Sequence, residues 1–130
     1  SHDRLDPFEE MRTALRYARI AALDAGALAA ADALAMATRE AGDAVGRPDL
    51  GRLAPGAKAD LLALGLSAAT VADLTDPAEL YGRIVWAGTP GDVTAVWVGG
   101  RQVVDNGRCV TIDVEATAEE VVTRARGLTR

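Results

Sequence analysis

The sequence carries one histidine, His2, and one cysteine, Cys109. A transition-metal cage of nitrogen or sulfur ligands needs paired residues such as His-x-His or Cys-x-x-Cys, and no such pair exists. A serine or cysteine nucleophile needs a histidine base, and the single candidate stands at the second position, where chain ends are usually poorly ordered. Gly51 and Gly56, like Gly99 and Gly100, do not form a phosphate-binding fingerprint after a strand, and no Gly-Lys-Ser or Gly-Lys-Thr occurs. Carboxylates are numerous, yet Asp3, Asp6 and Asp60 sit where turns or helix caps call for them. Cys109 reads as a buried, inert thiol in a strand, and Trp86 and Trp97 as core or interface packing. By residue type and spacing alone, the chain holds no complete catalytic set and no metal ligands.

The elements that would position these residues belong to a chain of 130 residues, the length of one domain, able to bury roughly two-thirds of its unfolded surface. Hydrophobic residues make up 49% and charged residues 25%, which excludes a wholly disordered chain. The net charge of −5 disfavours nucleic acid as a partner, because such binding rests on neutralising phosphates with cations. Apolar stretches at 25–31 and 61–69 fall short of the roughly 20 residues of a bilayer span, so no membrane is expected. A lone cysteine needs no oxidising compartment, and no basic stretch leads into an apolar core at the start. Cytoplasmic residence is the expectation.

Residues 6–44 are dominated by Ala, Leu, Arg and Glu, which predicts helix. Asp6 caps the first helix with Pro7 in its first turn, and Glu9 stands at the capping-box spacing. Phe8, Met11, Leu15, Ala18 and Ala22 recur at steps of three and four and share one face. Arg12, Arg16 and Arg19 recur likewise and read as a solvated face, with a subunit or ligand contact as the alternative. A second, alanine-rich helix is predicted over 27–40, with Leu28, Ala31, Leu34, Ala35 and Thr38 on one side, buried against other elements. A last short turn at 43–45 precedes Gly46. Breakers at Pro48, Gly51, Pro55 and Gly56 then force turns, and 59–64 reads as a short buried strand. Asp76 and Pro77 start a short helix to about residue 87 carrying Leu80, Ile84 and Val85. The β-branched run 93–98, Gly99-Gly100 and 102–105 form a two-residue hairpin, and Asn106-Gly107 turns into a third short strand near 108–111. Thr117 with Glu120 supplies a capping box for a closing helix to about residue 128.

Four blocks, in order, resemble the metal-dependent amidohydrolases of the cytosine deaminase and chlorohydrolase-like branch. Residues 1–12, SHDRLDPFEEMR, are similar to the segment entering the last barrel helices. Ala35-Met36-Ala37-Thr38 with 41–46 resembles the family's Met-Ala-Thr helix and following turn. Residues 49–60, DLGRLAPGAKAD, resemble the Gly-x-Leu-x-Pro-Gly-Lys-x-Ala-Asp signature, the most specific of the four. Val96 to Arg101, with Val104, Gly107 and Arg108, resembles the closing hairpin.

The resemblance implies an α/β chain that is incomplete in isolation. Residues 1–46 would be the last helical segments of a (β/α)8 barrel, 47–113 part of a composite β-sandwich with an inserted short helix, and 114–130 a C-terminal helix. It implies a divalent metal, zinc or iron, in the complete enzyme, held by histidines and an aspartate outside this segment. It also implies hydrolysis of a non-peptide C–N bond, the deamination of an amino-heterocycle. Among these residues it offers no catalytic group and no metal ligand; His2 alone is a candidate substrate-binding residue, near the pocket mouth. The alternative is a free-standing structural or protein-interaction module. A complete barrel needs about 250 residues. Burying Phe8, Met11 and Leu15 is worth about 1.5–3 kcal/mol each, so their face is expected to need polypeptide beyond this segment, whether the remainder of the enzyme or another copy in a homo-oligomer.

Overall fold

The computed structural model describes residues 5–76 and 78–128. Helix α1 spans Pro7–Ala22, and its start follows from Asp6, whose carboxylate accepts hydrogen bonds from the backbone N–H of Phe8 and Glu9 at 3.0 and 3.2 Å. Two of the first-turn donors that a helix leaves unpaired are thereby satisfied. The expected capping box is only half built: Glu9 turns outward to Arg12 and Arg16. The helix stops at Leu23 in the left-handed region, three residues before the predicted break at Gly26.

The predicted second helix is divided. Helix α2 spans Ala30–Ala37 and α3 spans Arg39–Ala44, and between them Thr38 takes φ −124° and ψ −97°, outside helical geometry. The Thr38 hydroxyl donates to the carbonyl of Leu34 at 2.7 Å, an acceptor that the helix end leaves open. The buried side of α2 carries Ala33 and Ala35, with Ala30 and Leu34 half-buried, whereas Ala31 and Thr38 face water, so the packed stripe is rotated from the one predicted.

Strand β1 (Leu61–Leu64), the single helical turn α4 (Ala68–Val71), helix α5 (Glu79–Ala87) and a 3-10 turn (Pro90–Asp92) lead to β2 (Val93–Val98), β3 (Arg101–Asp105) and β4 (Arg108–Cys109). The sheet is antiparallel throughout, in the order β1-β2-β3-β4, with Leu62 opposite Val96 and Val96 opposite Val104. Gly99 and Gly100 both take positive φ, 56° and 80°, and Asn106 and Gly107 follow at 47° and 72°, so both hairpin turns form where their residue types place them. Asp76 accepts from the N–H of Ala78 at 2.8 Å, ahead of α5; Pro77, expected in that first turn, lies outside the described residues. Helix α6 runs Val114–Leu128 and begins earlier than predicted, because Asp113, not Thr117, caps it: its carboxylate accepts from the N–H of Ala116, while the Thr117 hydroxyl donates to its carbonyl.

The core lies where α1, α2 and α5 meet. Phe8, Met11, Leu15, Ala33 and Val85 form one buried cluster, and Leu28, Ala30, Leu34, Ile84, Leu64 and Val93 pack against it. The α1 face expected to need outside polypeptide is therefore covered by the chain's own α2 and α5. What stays uncovered lies elsewhere: Tyr17 and Ile20 on the opposite side of α1, Leu53 in the turn-rich segment, Leu62 and Val98 in the sheet, and the whole of α6, which buries no residue.

Candidate functional site

The polar groups that the fold gathers serve the scaffold. Glu9 accepts from Arg12 Nε at 2.8 Å and from Arg16 at 2.8 Å, and these two guanidinium groups, Arg12 first, hold its carboxyl below the ordinary range. Arg12 departs from the solvated face read from its spacing: only 13% of its side chain is exposed. It donates to the carbonyls of Val85 and Gly88 at 3.1 and 3.0 Å, at the end of α5, where a helix leaves carbonyls unpaired and favours a cation. Arg19 donates to the Leu28 carbonyl at 3.2 Å and lies 5.3 Å from the centre of the Trp86 ring, so both ends of the basic row tie α1 to its neighbours. Trp86, expected in a core or interface, is 42% exposed and serves as this cation's platform.

The signature segment 49–60 is laced in the same way. Arg47 and Asp49 form a two-point pair at 2.8 and 2.7 Å, which lowers the Asp49 carboxyl and raises the Arg47 guanidinium. Arg52 reaches Asp43 at 2.6 Å and so ties the segment to α3. Asp60, the last residue of the signature, accepts from the N–H of Gly99, while Gly100 donates to the carbonyl of Ala59 at 2.9 Å. The signature's terminal carboxylate thus fastens the start of β1 to the β2–β3 turn. That is a turn-holding role, as its residue type suggested.

Cys109 ends β4, half-buried, with its sulfur 3.4 Å from the Thr111 hydroxyl. That hydroxyl, followed by the backbone of Thr111 and Ile112, pulls the thiol below its ordinary value, so it is more ionisable than the inert buried thiol expected of it. An open hollow on α6, lined by Ala118, Glu119, Val122, Thr123 and Arg126, is too shallow to enclose a small molecule. Among the described residues no three His, Cys, Asp or Glu side chains come together to hold a metal ion. His2 and Asp3 lie outside the described residues. Spacing missed the helix-capping role of Arg12, because its carbonyl partners stand 73 and 76 positions away and no local signal announces them.

The profile of the Amidohydrolase family matches residues 1–103. Over all 130 residues the chain is 35% identical to 5-methylthioadenosine/S-adenosylhomocysteine deaminases of Bacillus cereus and Bacillus thuringiensis. It spans 29% of the length of these curated relatives. Among solved structures, a zinc-bound adenosine deaminase from Xanthomonas campestris superposes with a TM-score of 0.79 at 32% identity, covering 95% of this chain and 28% of that one. An atrazine chlorohydrolase of Arthrobacter aurescens, complexed with zinc, superposes with a TM-score of 0.65 at 31% identity, covering 85% of this chain and 25% of that one. The helix-and-hairpin arrangement described above is shared with these enzymes, and the chain belongs to the amidohydrolase family.

Proposed function

We propose that the chain supplies the terminal elements of a metal-dependent aminohydrolase that hydrolyses the exocyclic C–N bond of an amino-heterocycle. The observation that carries this reading is the 35% identity to a deaminase along the whole chain. The likeness to a zinc-bound adenosine deaminase supports it. In this reading residues 1–46 are the last helical segments of the barrel, 47–113 the sandwich portion, and 114–130 a C-terminal helix, with His2 near the substrate mouth. In this reading the metal of the complete enzyme, zinc or iron, is held by residues outside this segment, and no step of the reaction is routed through this chain. Its own groups position: Asp6 fixes where α1 starts, Arg12 locks α1 to α5, and Asp60 locks the signature segment to the hairpin. We assign the cytoplasm as the compartment because the lone cysteine calls for no oxidising environment; no helix among the described residues is long and apolar enough to cross a membrane.

The test is an assay of a polypeptide of the relatives' length that carries this segment. Loaded with zinc, it should release ammonia from adenine nucleosides, while the 130-residue chain alone releases none. Chloride release from chlorotriazines without any ammonia from amino-heterocycles would overturn the deaminase reading, and deamination by the isolated chain would overturn its assignment as part of a longer enzyme.

A further inference from the structure

We propose that Asn106-Gly107 is a latent modification site: the closed β3–β4 hairpin holds it against conversion to isoaspartate, and the conversion proceeds when that hairpin opens. Asn106 is the sole asparagine of the sequence, and a glycine follows it. The reaction needs no reagent but water. The backbone nitrogen of Gly107, on losing its proton, attacks the side-chain amide carbon of Asn106. The new C–N bond closes a five-membered succinimide, and the side-chain nitrogen takes up a proton and leaves as ammonia. Water then opens the ring at either carbonyl. One product is an aspartate at position 106, the other an isoaspartate through whose Cβ the main chain now runs. Glycine as the attacking residue places no Cβ in the way of ring closure.

The fold opposes the first step twice. The Gly107 N–H donates to the carbonyl of Thr94 in β2 at 2.9 Å, so the attacking nitrogen is committed to the sheet and its proton is held. Asn106 has φ of +47°, in the left-handed region, where ψ is about +47°. That torsion turns the next nitrogen nearly opposite to Cβ across the Cα–C bond, whereas ring closure needs both on the same side. Asp105 paired with Arg108, and the Val110 N–H on the Val103 carbonyl at 3.0 Å, keep the turn closed. All these restraints join residues of this segment, so they do not depend on what polypeptide covers it. Their release is local. Strand β4 is two residues long, Arg108–Cys109, and stands last in the sheet order, so it opens at less cost than the sheet as a whole. An isoaspartate adds a backbone atom to a two-residue turn whose geometry suits two ordinary residues at positive φ, so the hairpin cannot close again as before. An opening is thereby recorded in the covalent chain.

The test is incubation of the whole protein in mildly alkaline buffer with and without urea, followed by peptide mapping of the 106–107 bond. Mass spectrometry reads the exchange of amide for acid, and electron-transfer fragmentation separates isoaspartate from aspartate. Conversion should be slower in buffer than in urea by about tenfold or more, as for any process gated by opening. Val110→Pro removes the N–H that closes β4 and leaves positions 106 and 107 untouched. Its rate in buffer should rise towards the urea rate, while its rate in urea stays that of the parent. Gly107→Val should slow the conversion in urea, where only the chemistry is read. Equal rates for the parent in buffer and urea, a Val110→Pro rate in buffer no higher than the parent's, or a Gly107→Val rate in urea equal to the parent's overturns the proposal.

Discussion

Asp60 shows how a single side chain can join distant stretches of this fold. Its carboxylate accepts the N–H of Gly99, a turn residue with positive φ, and so holds β1 to the hairpin head. Asp60→Ala should lower stability by about 1 kcal/mol in urea denaturation, and Asp60→Asn, which keeps an acceptor, by less. Gly51 is constrained from a different side. It has φ of +70°, and a Cβ there would stand 2.3 Å from the Thr38 carbonyl oxygen, against backbone that cannot swing away. Gly51→Ala should therefore cost more than the roughly 1–2 kcal/mol of a left-handed residue alone. Acid exposes a third residue. The Glu9 carboxyl is held below its ordinary value of 4.5 by Arg12 and Arg16, so its ion pairs contribute above that pH and are lost as the pH falls through the lowered folded value. Thermal melts between pH 7 and 3 should show a smaller acid-induced drop for Glu9→Gln than for the parent chain. Capping and turn roles at this scale were legible, since Asp6 and Gly99-Gly100 act on backbone a few residues away. The thiol of Cys109 was misjudged because Thr111, which acidifies it, is a neighbour whose hydroxyl direction no spacing rule supplies.

Elements were legible where their ends are encoded locally and blurred where they are not. Periodicity behind the Asp6 cap located α1, the Asp76-Pro77 start signal located α5, and the paired turn residues that take positive φ located both hairpins. The alanine-rich stretch resisted because alanine favours helix equally at every position, so nothing in it marks the break that Thr38 introduces between α2 and α3. In the basic row of α1, Arg16 is exposed as expected, but Arg12 and Arg19 were misread for a related reason. A guanidinium at helical spacing looks solvated until the carbonyl end of another helix is placed beside it, and Arg12 meets that end at Val85 and Gly88. Arg12→Leu would keep the apolar stem of the side chain and strip the cap, leaving two carbonyls and the Glu9 carboxylate without this donor. A loss of about 1.5–3 kcal/mol is expected from chemical denaturation. Arg12→Lys should recover only part of it, because a single ammonium cannot fork between acceptors as the planar guanidinium does.

Across the whole molecule, the buried cluster is confined to the meeting of α1, α2 and α5, and the sheet reaches it through Leu64 and Val93. Leu15 and Val85 are both 0% exposed and stand at its centre, whereas Leu62 and Val98 in the sheet are each more than half exposed. Leu15→Ala should accordingly cost about 2–5 kcal/mol, a large part of any domain's stability, and fall on the helical part first. The two tryptophans offer a way to see that division, since Trp86 belongs to α5 and Trp97 to β2. A thin apolar junction transmits little cooperativity, so urea transitions followed in a Trp97→Phe chain, which reports on the helices, and a Trp86→Phe chain, which reports on the sheet, should separate. Adding Leu15→Ala to each should move the helical transition to lower urea by more than the sheet transition. Coincident transitions that shift together would mean that Leu64 and Val93 weld the two parts into one cooperative unit, and the division drawn from burial would be wrong.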